Sequence, residues 1–528
     1  MTQPLARSYD FICFGDEVPG ILAIVTAARE YRRRTNSFPR SLVMFKANSQ
    51  DGVGGHLVRG RLAYLDRSSV PLNIRQRYQL GDFGDPPTIY QEFLTRVGVG
   101  KVSLDPDRAN TVLRQMLSEA GVDILSRIDV DSLILDGRRI QGIRLKRGEI
   151  YLGKQFIDCT VNAELAQMAG VEKLPGFARL GLPDSELSVT LIFETQGLSS
   201  QTLRSLEDAY LKRFTNPNDA EAQSWLDVAS GQNPDFKQQL VRDLYYPDGR
   251  LKRMDIGSDY IDIYGEALPI AYHAFRGTPM DLAASGSILD NANVAILPGS
   301  HRLSWNGLLF FVTAAEAEAL ARNGAKPTAR MLEEMSFIDR WYRSLGATSV
   351  KAASELYIRH AGNIGGALEP LPGAQMMAGG LSVHEGLGSF GYAFDARGGI
   401  DGLQDRAITV GAPDPNFKKP LFNIGMRHAL LRDFPNLAVL GPASGFDGNS
   451  STAGRIVEYN VGVGQAIGIA ACLAVLTNRE MNRFSNTEIR NVLAATGRLP
   501  KLYGVYDPEE TARVALFEKL MGVPIYTV

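Results

Sequence analysis

The stretch Tyr9-Asp-Phe-Ile-Cys-Phe-Gly-Asp-Glu-Val-Pro-Gly20 decides the fold. Residues 9–14 read as a buried strand, 15–20 as a tight glycine turn, and 21–29 as a helix of small and apolar residues. Gly15 and Gly20 stand where the first and last glycines of a G-x-G-x-x-G turn stand. The first lets the chain turn, and the last lets helix and strand pack closely. Such a turn aims amide N–H groups and the positive end of a helix at a pyrophosphate. The middle position holds Glu17 where the pattern has glycine, so this turn alone is a weak signal.

Working outward, a second strand at 41–45 ends in Lys46 and leads into Gly52-Val-Gly-Gly55-His56. Strand, glycine turn, helix and strand make the first half of a doubly wound nucleotide-binding sheet. Residues 66–87 lose periodicity and read as an excursion. Asp105, followed by Pro106, opens a helix that closes at Gly121. A strand at 122–125 follows, then a hairpin of 129–135 and 138–145 around Asp136-Gly137. Residues 155–160 read as a strand and 163–170 as a helix.

From about residue 180 the texture becomes a mixture of strands (188–194, 261–264, 293–297) and helices (201–214, 220–228, 314–322, 328–345). Asn436-Leu-Ala-Val-Leu-Gly441 is again a strand ending in glycine, and 454–476 a long helix rich in Gly and Ala. Two helices close the chain, the second opening at Asp507-Pro508.

The 528 residues suffice for a large core and about two to four domains. A net charge of −2 offers no field for nucleic acid or anionic lipid. The three cysteines, Cys13, Cys159 and Cys472, lie in apolar surroundings and read as core residues. No His-x-x-x-His or Cys-x-x-Cys spacing indicates a metal. The longest apolar run, 461–476, is too short to span a bilayer and carries Gln465. A cytoplasmic protein without a transmembrane segment is expected.

Four of these segments together resemble the FAD-dependent oxidoreductase family with the glutathione-reductase-like fold. They are the Gly15–Gly20 turn, the Gly52–Gly55 loop, Ile157-Asp-Cys-Thr-Val-Asn-Ala-Glu-Leu-Ala-Gln-Met-Ala-Gly170, and Asn436–Gly441 with Gly464-Gln-Ala-Ile-Gly-Ile-Ala-Ala471. The third is similar to the family's I-D-A-T-G-D-x-x-L-A-x-x-A-G. The fourth is similar to its N-L-x-V-A-G and G-Q-A-x-G-x-A-A. The resemblance implies an α/β fold: a Rossmann-like FAD-binding domain, an inserted mixed α+β substrate domain, and a helical C-terminal tail. The boundaries are 1–178 and 431–479 for the FAD domain, 179–430 for the substrate or cap domain, and 480–528 for the tail.

The resemblance also implies roles. Gly15 and Gly20 would face the FAD pyrophosphate, and the position of Lys46 the adenosine ribose. Backbone near Val130 would pair with adenine, and Thr160 would lie beneath the cofactor. Gly54, Gly55 and His56 fall near the flavin, as do Gly441 and the start of the long helix, whose motif includes Gly468. Arg455 there is either a flavin or substrate contact or a structural ion-pair member.

Two positions depart from the family: Glu17 replaces the middle glycine, and Lys46 the acidic ribose ligand. A carboxylate about 5 Å from a phosphate charge costs on the order of 3 kcal/mol at an effective dielectric of about 20. Glu17 is therefore expected to turn away, to be neutralised or to occupy a site with no pyrophosphate, and a pairing of Glu17 with Lys46 would preserve local neutrality. Thr160-Val161 also stands where the family has T-G.

Candidate catalytic residues are His384, Arg359 and His56. His56 is a flavin contact, proton shuttle or covalent flavin link, or else a loop histidine bonded to backbone. Arg359 is a bidentate partner for a substrate carboxylate, or a structural ion-pair member. His384 lies in the glycine-rich 379–392 segment as a general base or a turn-forming histidine. The loop 445–454 offers hydroxyls and Asn449 to a substrate or the flavin edge, or else merely caps the long helix. The expectation is an FAD-dependent oxidoreductase moving a hydride between flavin and a small organic substrate. The alternative is a flavin-fold binding or scaffolding protein that has lost redox chemistry. A small-molecule substrate is the expected partner, nucleic acid is not, and a homo-oligomer is compatible with the sequence.

Overall fold

The structure is a computed structural model that describes residues 6–522; the outermost residues of the two terminal segments lie outside it. Its first sheet holds β1 (Ala6–Phe14), β2 (Ser41–Met44), β3 (Val122–Leu125), β4 (Val130–Asp136), β5 (Arg139–Leu145) and β6 (Ile150–Asp158) in the order β3-β2-β1-β6-β5-β4. The strand Leu437–Val439 adds to β6 beyond the point where β5 leaves it. β1, β2, β3, β6 and Leu437–Val439 run parallel, while β4 and β5 form the antiparallel hairpin turning at Gly137. β1 and β2 are almost wholly apolar where they pair because helices cover both faces of a parallel sheet.

Register brings the strand ends together. Phe14 pairs with Met44 on one side and Asp158 on the other, and Asp158 pairs with Val439. The loops after these four strands therefore open onto one edge of a Rossmann-like region, the edge where such sheets bind ligands.

Helix α1 (Val18–Thr35) follows β1 and packs along the 21-residue helix Val457–Thr477. The small residues of the latter allow this contact: a Cβ on Gly464 would lie 2.9 Å from the Pro19 carbonyl, and one on Gly468 would collide with that of Ala23. This helix starts later than the sequence suggests, after a short turn Ser451–Gly454, and is longer than its apolar run. By length and composition it could cross a membrane, yet 83% of its apolar window is buried inside the fold. It is a core helix.

A second, antiparallel sheet runs Asp255–Ile256, Tyr260–Asp262, Ser287–Leu297, Arg302–Phe310, Phe193–Gln196, Ser349–Ala352. It has its own core, in which Phe193 stacks on Trp305 at 5.9 Å and both meet Tyr342 from the helix Ala329–Ser344. The excursion after β2 contains a helix, Leu72–Tyr78, that its composition did not announce, because none of its residues is buried and no apolar stripe forms.

Candidate active site

The edge above Phe14, Met44 and Asp158 holds a cavity of about 100 Å³, lined by Asp16, Glu17, Lys46, Thr160 and Glu164 from the first sheet. Ala321, Ala325, Glu355 and Ile358 close it from the other side. Local structure sets the first two. β1 ends at Gly15, whose φ of 98° no L side chain adopts readily, and a Cβ there would lie 2.7 Å from the Cys159 carbonyl. Glu17 is then the N-cap residue of α1.

Neither carboxylate points away. Asp16 accepts the N–H groups of Gly54 at 3.0 Å and Gly55 at 3.4 Å, and Glu17 accepts that of His56 at 3.2 Å. These amides open the short helix α2 (Gly55–Val58). Arg59, buried, donates from Nη2 to Asp16 at 2.9 Å and from Nε to Glu355 at 2.9 Å. Burial opposes its charge, but the two carboxylates hold the guanidinium above its usual range. Burial pushes Glu355 up, with Arg59 pulling it down.

The expected pairing of Glu17 with Lys46 does not occur. Glu17 turns across the loop to His56 Nδ1, whereas Lys46 turns the other way to Glu164 and the carbonyl of Arg322. The reason is proximity of better partners: Glu17 finds the His56 amide and ring, and Lys46 finds a buried acid at the start of the next helix. Thr160 donates to Asp158 at 2.7 Å and accepts from Glu164 N–H, so it organises the tip of β6. Burial raises Asp158 to about 6 against those hydrogen bonds.

A second polar cluster adjoins the first through a ring stack. His56 lies on Tyr357 at 5.0 Å, and the Tyr357 hydroxyl accepts from Arg455 at 2.9 Å. Arg455 also pairs with Asp395 at 2.6 Å, the ion-pair reading of that residue. Its Nε is buried and has no hydrogen-bond partner among the described residues. Desolvation pushes the neighbouring Asp66 up while Arg455 pulls it down.

Arg359 lies over the same Tyr357 ring at 4.6 Å and donates to Ser188 O, Thr190 Oγ1 and Asn306. Among the described residues no carboxylate pairs with it, and burial lowers it to about 10. Buried arginines ordinarily have such a partner. Its neighbour His360 is satisfied within the protein, between Glu186 at 2.7 Å and Asn363 at 2.9 Å. Asn363 in turn donates to the carbonyls of Pro442 and Ser444 beside Gly441.

Other expected site residues fall elsewhere. Gly441, at φ 123°, has open space where a Cβ would stand, next to this network. Gly20 packs against Cys13 and Cys159, and Gly468 against α1, so both serve packing within the chain. Val130 begins β4, paired with Leu145 and outside the cavity lining. His384 is exposed on a turn away from both clusters. In the 445–454 loop, the Asn449 N–H is held at 2.9 Å by Glu518 of the helix Pro508–Met521, which also accepts from Gly373 and Ala374. Asp16, Arg59, Glu355, Tyr357, Asp395 and Glu518 were not among the expected site residues. The sequence signals were Asp16's place inside the glycine turn and the weak similarity of 356–364 and 391–395, which hold Tyr357 and Asp395, to segments of the family.

The model of the FAD dependent oxidoreductase family matches residues 50–493. This chain belongs to that family. The oxidoreductase shows loose likeness to solved structures: PqsL of P. aeruginosa in complex with 2-aminobenzoylacetate (12% identity over 98% of this chain and 99% of that one, TM-score 0.33), L-proline dehydrogenase of P. horikoshii (10%, 94% and 100%, 0.35) and p-nitrophenol 4-monooxygenase of Pseudomonas putida (9%, 98% and 96%, 0.40). No curated protein matches the sequence.

FAD is the family's cofactor. The residues of the oxidoreductase, as arranged, do not fit its pyrophosphate. Two carboxylates, Asp16 and Glu17, stand in the turn that would receive it, and Arg59 and Lys46 are consumed by internal acids. The cavity is also below the roughly 300–1,000 Å³ of ordinary small-molecule sites.

Proposed function

We propose that this FAD-dependent oxidoreductase moves a hydride between flavin and a small organic substrate bearing a carboxylate. The observation that carries the substrate class is Arg359, a buried guanidinium with no carboxylate partner among the described residues. Its planar fork suits bidentate binding of a carboxylate, which would supply the missing countercharge. Flavin supplies the redox chemistry of such enzymes; the chain supplies binding, orientation and exclusion of water. Residues 179–430 act as the substrate side, a reading supported by Ala321, Ala325 and Ile358 closing the cavity from that part of the chain. The three free, buried cysteines accord with a cytoplasmic location.

The test is the absorption spectrum of the purified protein with FAD. Bands that bleach on reduction and return with a carboxylate-bearing acceptor support the proposal, and Arg359→Gln should then raise KM more than it lowers kcat. A second reading, a flavin-fold binding protein without redox chemistry, is favoured by the carboxylates at the dinucleotide turn. A protein that stays colourless at saturating FAD would support it.

A further inference from the structure

We propose that Glu17 is an internal plug of the pyrophosphate position, so that FAD enters only when this carboxylate leaves the loop it now closes. The inference rests on the reading that the chain takes FAD. Gly55, at φ 52°, lies in the glycine loop beside the first turn, and the space its missing side chain leaves is not free. A Cβ on Gly55 would fall within the Glu17 carboxylate. The glycine thus accommodates a side chain of the same protein.

Glu17 at the same time replaces the glycine that lets a phosphate approach the head of α1, and it binds the His56 N–H and ring. Asp16 completes the occupation by holding the two preceding amides. Charge points the same way. Four acids line the cavity (Asp16, Glu17, Glu164, Glu355) against Lys46 and Arg59, both already paired. A pyrophosphate placed beside them would meet an excess of its own sign. Asp16 is locked between Arg59 and two amides, whereas among the described residues His56 alone holds the Glu17 side chain, so Glu17 is the side chain that moves.

The test measures binding of FAD, and separately of ADP, to the full-length protein stripped of flavin. Glu17→Gly restores the family's residue; Glu17→Gln keeps the side chain's size and hydrogen bond while removing its charge. FAD and ADP should both bind Glu17→Gly at least tenfold more tightly than wild type, with Glu17→Gln in between. ADP carries the pyrophosphate without the flavin, so a gain for FAD alone would overturn the proposal by placing the clash elsewhere. Wild type binding FAD as tightly as both variants would also overturn it while leaving the FAD reading intact. Absence of FAD binding in all three proteins would overturn both.

Discussion

Arg59 grips Asp16 through both terminal nitrogens, 43 residues back along the chain, and holds Glu355, 296 residues ahead, through Nε. The triad is buried and joins β1, α2 and the segment leading to Arg359. It therefore fixes the dinucleotide turn relative to the second polar cluster.

Removing the cation from this triad strands two buried carboxylates. Arg59→Met should lower unfolding stability by about 3–5 kcal/mol, the usual cost of breaking a buried pair. Adding Asp16→Asn and Glu355→Gln to the same chain should recover at least half of the loss. Denaturant unfolding of the single and triple variants measures this.

Gly468 lies where helix Val457–Thr477 touches α1, with no room for a Cβ beside Ala23. Gly468→Ala should destabilise by about 1–3 kcal/mol through overpacking, and Gly468→Val by more. Thermal unfolding is the readout.

Glu518 accepts three backbone N–H groups from two other segments. Glu518→Ala leaves those amides unpaired and should cost about 2–4 kcal/mol, whereas Glu518→Gln should cost less. Limited proteolysis should cut the helix Pro508–Met521 of the alanine variant sooner.

Burial lowers His273 from 6.5 to about 4, and its Nε2 accepts the Leu289 N–H at 3.2 Å, so the folded protein keeps it neutral. The unfolded chain takes up a proton below pH about 6.5. Its stabilising contribution is thus full above that pH and is lost as pH falls through about 4, by about 3 kcal/mol in all. His273→Gln should flatten the stability profile by that amount between these limits, as measured by unfolding at a series of pH values.

The Glu17 side chain shows where sequence reasoning stopped. Its departure from the glycine pattern was visible, as was the unfavourable charge it brings to a phosphate site. The partner was not. Lys46 and His56 both follow β2, the parallel neighbour of the strand that leads to Glu17, and their spacing does not tell which of them meets Glu17. Side-chain direction at the strand tips decided it, because the amides of α2 and the acid at Glu164 compete for the two groups.

Local patterns alone specified the strand, turn and helix of 9–29, the hairpin about Gly137, the β6 tip and the glycine-bearing final strand. Each is written in apolar alternation, turn residues or caps within a few positions of one another. What only the tertiary structure decided are contacts between residues tens to hundreds apart: Asp16 with Arg59, His56 with Tyr357, Arg455 with Asp395, Glu518 with Asn449. Those depend on strand register and helix packing, which bring distant side chains within hydrogen-bonding range, and no local periodicity encodes such a distance.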